Sequence, residues 1–189
     1  IGFLNLNEND ERMFGSLGLT ISKYSYNIKI EKSSYLKIEC EDKSEKKKID
    51  NIIEIISKEK KLRNVKITVL SSIPAHKGLG SGTQLSLAVG YLICKLNNIK
   101  LNVNQISVIL KRGLRSGIGI ESFQRGGFNI DVGKLKGSNN PPLNIMNIKW
   151  PKNWKILLLE DSYCSGLHGK KELNEFQKIK KINKTDLNS

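Results

Sequence analysis

The residues best suited to chemistry lie in one short run, Pro74-Ala75-His76-Lys77-Gly78-Leu79-Gly80-Ser81-Gly82-Thr83. Three glycines within five positions let a backbone turn sharply and approach a ligand closely. An apolar helix follows, and the first N–H groups of any helix have no partner inside it. A turn of this kind at a helix start is a site for phosphate. Ser81 and Thr83 add hydroxyls for phosphate or for its Mg2+, and Lys77 adds a charge. The expected phosphate-binding set is Lys77, Gly78, Leu79, Gly80, Ser81, Gly82 and Thr83, with Ser81 and Thr83 as magnesium ligands. Two common phosphate loops do not fit. A Walker A loop sets its lysine after the glycines, whereas Lys77 precedes them, and a dinucleotide fingerprint needs glycine where Thr83 stands.

Other candidates are scattered. Arg112 and Arg115 are two of only 5 arginines beside 27 lysines. A guanidinium forks onto carboxylate or phosphate; the alternative is a cation pair at a helix C-terminus, favoured by the dipole. Ser116 either binds phosphate or bonds its own turn. His76 is a donor to diphosphate or a plain loop residue. Glu121 orients a substrate amine or a metal, or is an exposed helix carboxylate. Asp131 falls in strand alternation and reads as the mark of an exposed face. Arg125 reads as structural and His168 as a turn residue. No Ser/His/Asp or Cys/His set is present. Cys40, Cys94 and Cys164 are odd in number and widely spaced, and the two histidines lie far apart. Neither a disulfide framework nor a zinc site follows, and a reducing, cytoplasmic compartment is expected.

The elements that must position these residues are legible from periodicity. Strands are expected at Ile1–Leu6, Leu17–Ser22, Tyr26–Glu31, Tyr35–Glu41 and Val65–Leu70. Ile49, Ile52, Ile53 and Ile56 place one apolar face on a helix over Lys46–Leu62. Leu85, Ala88, Val89, Leu92, Ile93 and Leu96 form the buried face of the helix after the glycine loop. Asn102 and Gln105 form a capping box for the next helix, with Gly113 as its terminal glycine. Arg115 to Gly119 turns into a short helix, followed by a strand over Gly127–Val132, a loop over Gly137–Pro142, a strand over Lys155–Glu160 and a helix over Lys170–Ile182. A strand-rich start with helices inserted is an α+β arrangement.

The chain has 189 residues, enough for one domain and part of a second. Its formal charge is +14, which favours polyanions or phosphorylated substrates. The lysines are dispersed and aromatic residues make up 6%, so nucleic-acid binding is a minor expectation. No apolar run is long enough to cross a bilayer, and the first residues lack the order of a signal peptide. Ile1 in place of Met, and the fading pattern after Lys170, lead us to expect a fragment of a longer chain.

The glycine loop resembles the Pro-x-x-x-Gly-Leu-Gly-Ser segment of the GHMP kinase superfamily. Residues 74–85, Arg112-Gly-Leu-Arg-Ser-Gly-Ile-Gly-Ile-Glu-Ser-Phe123 and Gly126-Gly-Phe-Asn-Ile-Asp131 are similar to the β-ribofuranosylaminobenzene 5′-phosphate synthase family. Gly2 to Asn7, Gly15 to Leu19, and Gly166-Leu167-His168-Gly169 followed by Glu172 and Phe176 extend the likeness. The resemblance implies a ribosomal S5 domain 2-like GHMP N-terminal domain over 1–150 and the start of a GHMP C-terminal domain over 151–189. It implies condensation of 5-phosphoribosyl diphosphate with 4-aminobenzoate or 4-hydroxybenzoate, with loss of diphosphate and CO2, in methanopterin-type cofactor biosynthesis. Mg2+ is the implied cofactor, Arg112, Arg115 and Ser116 the implied catalytic group, and Asn5, His76 and Glu121 the implied substrate contacts. A homodimer is left open. Two departures stand out. Gly119 stands where GHMP kinases carry an Asp, which weakens an ATP-binding kinase reading. Asn5 stands where the synthases more often carry Asp. The alternatives are an ATP-dependent GHMP small-molecule kinase and a basic S5-like RNA-binding domain.

Overall fold

The computed structural model describes residues 2–5 and 10–160. Strand β1 (Phe3–Asn5) pairs antiparallel with β2 (Arg12–Leu19), in the register Phe3 to Ser16. Next come β3 (Asn27–Lys32), β4 (Lys37–Glu39), helix α1 (Lys43–Glu59) and β5 (Val65–Ser71). Helices α2 (Ser81–Leu96), α3 (Val103–Ile109) and α4 (Ile118–Arg125) follow. The described part closes with β6 (Phe128–Asp131), β7 (Lys134–Leu135) and β8 (Asn144–Ile148). One sheet runs β1-β2-β6-β8, with β7 also on β2; the other runs β3-β5-β4. The fold is α+β, as the alternation of strands and helical periods implies.

The core forms where the helical stripes meet the smaller sheet. Ile49, Ile52 and Ile56 of α1 pack with Leu85, Val89 and Ile93 of α2, over Val65 and Ile67 of β5. Ile106, Leu110 and Ile120 extend this cluster to α3 and α4. Burial of such side chains stabilises by about 1.5–3 kcal/mol each before chain entropy is set against it. Two helix starts use side-chain caps. Asp42 accepts from the N–H of Ser44 and Glu45 at 2.6 and 3.0 Å, so α1 begins ahead of the expected Lys46. The Asn102–Gln105 capping box is present, with both bonds at 2.9 Å.

Several expectations shift. The second strand begins at Arg12, because pairing with β1 and β7 recruits residues whose own alternation is weak. Tyr35–Glu41 shortens to Lys37–Glu39. The left-handed residue that ends α3 is Lys111, at φ 51°, and Gly113 is left-handed two residues later. Arg112 N–H reaches the Ser107 carbonyl at 2.7 Å and Lys111 N–H the Val108 carbonyl at 3.0 Å, the two bonds of a Schellman ending. Lys155–Glu160 is not a strand: no described strand lies alongside it, and Leu157 and Leu159 are exposed. The outer strand is instead β8, antiparallel to β6. The expected helix over Lys170–Ile182, with His168, Glu172 and Phe176, lies outside the described residues. Among the described residues, no helix is long and apolar enough to cross a membrane.

Candidate active site

The glycine loop leads into α2 as expected. Gly80 holds the N-cap in the left-handed region at φ 68°, a conformation open to glycine at little cost. No side chain caps α2. The N–H groups of Thr83 and Gln84 both reach the Gly80 carbonyl at 3.0 Å, which leaves those of Ser81 and Gly82 outside the helix ladder. Partial positive charge therefore collects at this turn.

Arg112 joins the loop across 30 residues of sequence. Its Nη1 lies 3.9 Å from where a Cβ on Gly82 would stand. Its Nε is buried and has no hydrogen-bond partner. Burial pulls the guanidinium below its ordinary pKa, and among the described residues no carboxylate offsets this. A cation so desolvated is costly unless an anion meets it.

The start of α4 lies against the same loop but is closed. A Cβ on Gly119 would come within 2.9 Å of Thr83 Cγ2, and Gln84 Nε2 donates to the Gly119 carbonyl at 2.7 Å. Only glycine permits that approach. The end of α4 itself is taken by Asp131. This residue is 2% exposed, not the marker of an exposed face that strand alternation implied. Its Oδ1 accepts from the N–H of Ser16 at 3.1 Å and of Gly133 at 2.9 Å. Its Oδ2 accepts from the Gly117 N–H at 2.9 Å and lies 2.6 and 3.1 Å from the hydroxyls of Ser16 and Ser116. Ser116 Oγ accepts in turn from the Ile118 N–H at 3.1 Å. The α4 terminus thus already holds its anion, and the open terminus is that of α2.

The remaining candidates divide. Ser116 bonds its own turn and the Ser16–Asp131 pair, at 2.6 Å from Ser16 Oγ. Lys77 is half-buried and near enough to Glu160 for its charge to help hold that carboxyl below its usual range, after the Tyr24 and Lys23 bonds. His76 is exposed, with left-handed φ of 59°. Arg115 is half-buried, three residues beyond Arg112. Asn5 donates to Asp10 Oδ2 at 2.8 Å and to the Arg12 carbonyl at 3.1 Å, so a carboxylate stands beside the position where the resembled synthases carry Asp. Glu121 pairs with Arg125 at 2.7 Å and lines a groove that includes no residue of the glycine loop. Gly78 and Leu79 belong to the turn itself. The residues missed in the sequence are Ser16, Gln84 and the role of Asp131.

Mg2+ finds no ready cage. No group of three His, Cys, Asp or Glu that could hold a metal occurs among the described residues, and the Asp131 oxygens are saturated with donors. Ser81 and Thr83 are the hydroxyls at the opening of α2 that a magnesium arriving on a phosphate would have to use.

Residues 47–130 match the family described as GHMP kinases N terminal domain. The chain is 31% identical to beta-ribofuranosylphenol 5'-phosphate synthase of Methanothermobacter thermautotrophicus, over 92% of this chain and 59% of that protein. It is 33% identical to the proteins of the same name from Methanocaldococcus jannaschii and Archaeoglobus fulgidus, over 94% of this chain and 61% and 59% of theirs. The chain therefore spans 59–61% of the length of the curated relatives it matches. Residues 47–130, which include the left-handed Gly80 and the opening of α2, thus match a GHMP kinases N terminal domain within an α+β core.

Proposed function

We propose that the protein is a β-ribofuranosylphenol 5′-phosphate synthase-type transferase. It joins 5-phosphoribosyl diphosphate to 4-hydroxybenzoate, or to 4-aminobenzoate, in the making of a methanopterin-type cofactor. The phenol in the relatives' name favours the hydroxy acid. The observation that carries this reading is the half-buried Arg112, whose buried Nε has no partner, beside Gly82 at the open end of α2. A cytoplasmic location, small-molecule substrates and the division into residues 1–150 and 151–189 belong to the same proposal.

The chemistry asks for placement rather than a nucleophile. The bond between the anomeric carbon and the diphosphate oxygen breaks, and the diphosphate leaves with the electron pair. The ring carbon bearing the carboxylate then bonds to the anomeric carbon, and loss of CO2 returns that bond's electrons to the ring. Arg112 and the N–H groups of Ser81 and Gly82 would hold the diphosphate as its charge grows. Magnesium held by Ser81 and Thr83 would add Lewis-acid stabilisation of that leaving group. Arg115, three residues beyond Arg112, would meet the second anion, the benzoate or the 5′-phosphate. Ser116 keeps the α4 turn in place. Water must be excluded, because an oxocarbenium-like sugar reacts with it.

The kinase alternative needs a base near Ser116. The carboxylate there is Asp131, and its oxygens already face three N–H groups and two hydroxyls. It has no lone pair left for a substrate hydroxyl. The test is release of labelled CO2 from carboxyl-labelled 4-hydroxybenzoate and 4-aminobenzoate by protein from the full reading frame, with Mg2+. Release that requires 5-phosphoribosyl diphosphate supports the reading. Folded protein that releases none from either acid, yet turns over ATP, replaces it with the kinase.

A further inference from the structure

A second concavity lies away from the glycine loop. It is a groove of about 650 Å3 between α3, α4 and residues 140–144, within the range of small-molecule sites. Val108, Ile109, Ile120 and Pro142 give it apolar walls. Two acceptors line it with capacity to spare. The Glu121 side chain is only 12% exposed. Its Oε2 takes both Arg125 contacts, and its Oε1 takes no bond among the described residues. Asn144 donates through Nδ2 to Asn129 Oδ1 at 3.2 Å, while its own Oδ1 is buried with no donor. A buried acceptor left unpaired costs about 1–3 kcal/mol, which a donor from a ligand would recover.

We propose that this groove is a ligand site for a small ring compound that presents a hydroxyl or amine donor to Glu121 and Asn144. The apolar walls select the ring. The Glu121 carboxylate favours a donor, above all a cationic one. None of residues 74–83 lines the groove, so it is separate from the phosphate loop, although Gly117 at the start of α4 borders it. Two sources share this chemistry. One is the aromatic partner of the proposed reaction, its para hydroxyl or amine pointing inward; that arm rests on the proposed function. The other is an effector unrelated to catalysis.

The probe is tyramine, a phenol ring with an ammonium group, titrated into the full chain and followed by backbone amide NMR, with phenylacetate, a ring that presents no donor, as the control. Tyramine is expected to shift amides of α3 and α4, and phenylacetate to leave them unmoved. Val108→Trp, from a position 38% exposed, fills the groove and abolishes binding. Glu121→Gln weakens it about tenfold or more, and serves if the tryptophan variant fails to fold. Failure of tyramine to bind, or binding that survives Glu121→Gln, overturns the proposal. The sources separate in turnover: a Val108→Trp protein with raised KM for the aromatic acid alone makes the groove the acceptor subsite. Unchanged KM with tyramine binding lost makes it an effector site. Tyramine binding is read without turnover, so failure of the synthase assignment leaves this test intact.

Discussion

Arg112 is a half-buried cation whose Nη1 lies 3.9 Å from a Cβ position on Gly82, and among the described residues no carboxylate offsets its burial. Replacing it with Gln should lower kcat/KM for 5-phosphoribosyl diphosphate by about a hundredfold, ~2.7 kcal/mol of transition-state stabilisation, with unchanged circular dichroism. Lys should restore part of the charge but not the fork. A variant with unaltered kinetics would remove Arg112 from the site. Asp131 works in the opposite sense, as a carboxylate surrounded by donors. Asp131→Asn turns an NH2 group toward N–H groups that need an acceptor. It should cost about 2–4 kcal/mol in denaturant unfolding, more than an exposed Asp substitution. A loss under ~0.5 kcal/mol would mean that the N–H groups find other acceptors.

The α2–α4 crossing depends on a methyl group meeting a glycine. Gly119→Ala sets a Cβ 2.9 Å from Thr83 Cγ2, which must tilt α4 or displace Thr83. Thr83→Ser removes that methyl and keeps the hydroxyl. The double variant should recover most of the stability lost in Gly119→Ala, with a coupling of about 1 kcal/mol in a double-mutant cycle. Additive losses would show that the clash is relieved elsewhere. At the end of α3, Lys111 sits at φ 51°, a conformation costing about 1–2 kcal/mol for a residue with a Cβ. Lys111→Gly should therefore raise Tm, against the usual penalty for glycine near a helix. In the smaller sheet, bonds from Lys37, Lys66 and Thr68 pull the Glu39 carboxyl down to about 2. A depressed carboxylate stabilises most above its ordinary range, near 4.5, and that share is lost as pH falls through about 2. Carboxyl-resolved NMR titration of Glu39 checks this: a midpoint near 4.5 would mean the three partners do not hold in solution.

Over the whole molecule, a net charge of +14 would favour the phosphorylated substrate of the proposed reaction. KM for 5-phosphoribosyl diphosphate should rise about threefold or more between 50 and 500 mM salt, as screening shortens that reach. A KM flat in salt would confine recognition to the short-range contacts of Arg112 and α2. What the sequence determined by itself is local. The Asn102–Gln105 box spans three residues, the α1 and α2 stripes need only a 3.6-residue period, and Gly78-Leu79-Gly80 announces a turn before an apolar helix whatever surrounds it. The strand at 155–160 was misread for the complementary reason, since apolar content alone does not make a strand without a neighbour to bond. Tertiary structure decided which of the candidate residues meet. Arg112 reaches Gly82, and Asp131 reaches Ser16 across 115 residues, through sheet register and helix packing that no short window contains. Burial followed from those same contacts, and with it the difference between Asp131 as an exposed carboxylate and Asp131 as the anion that closes the start of α4.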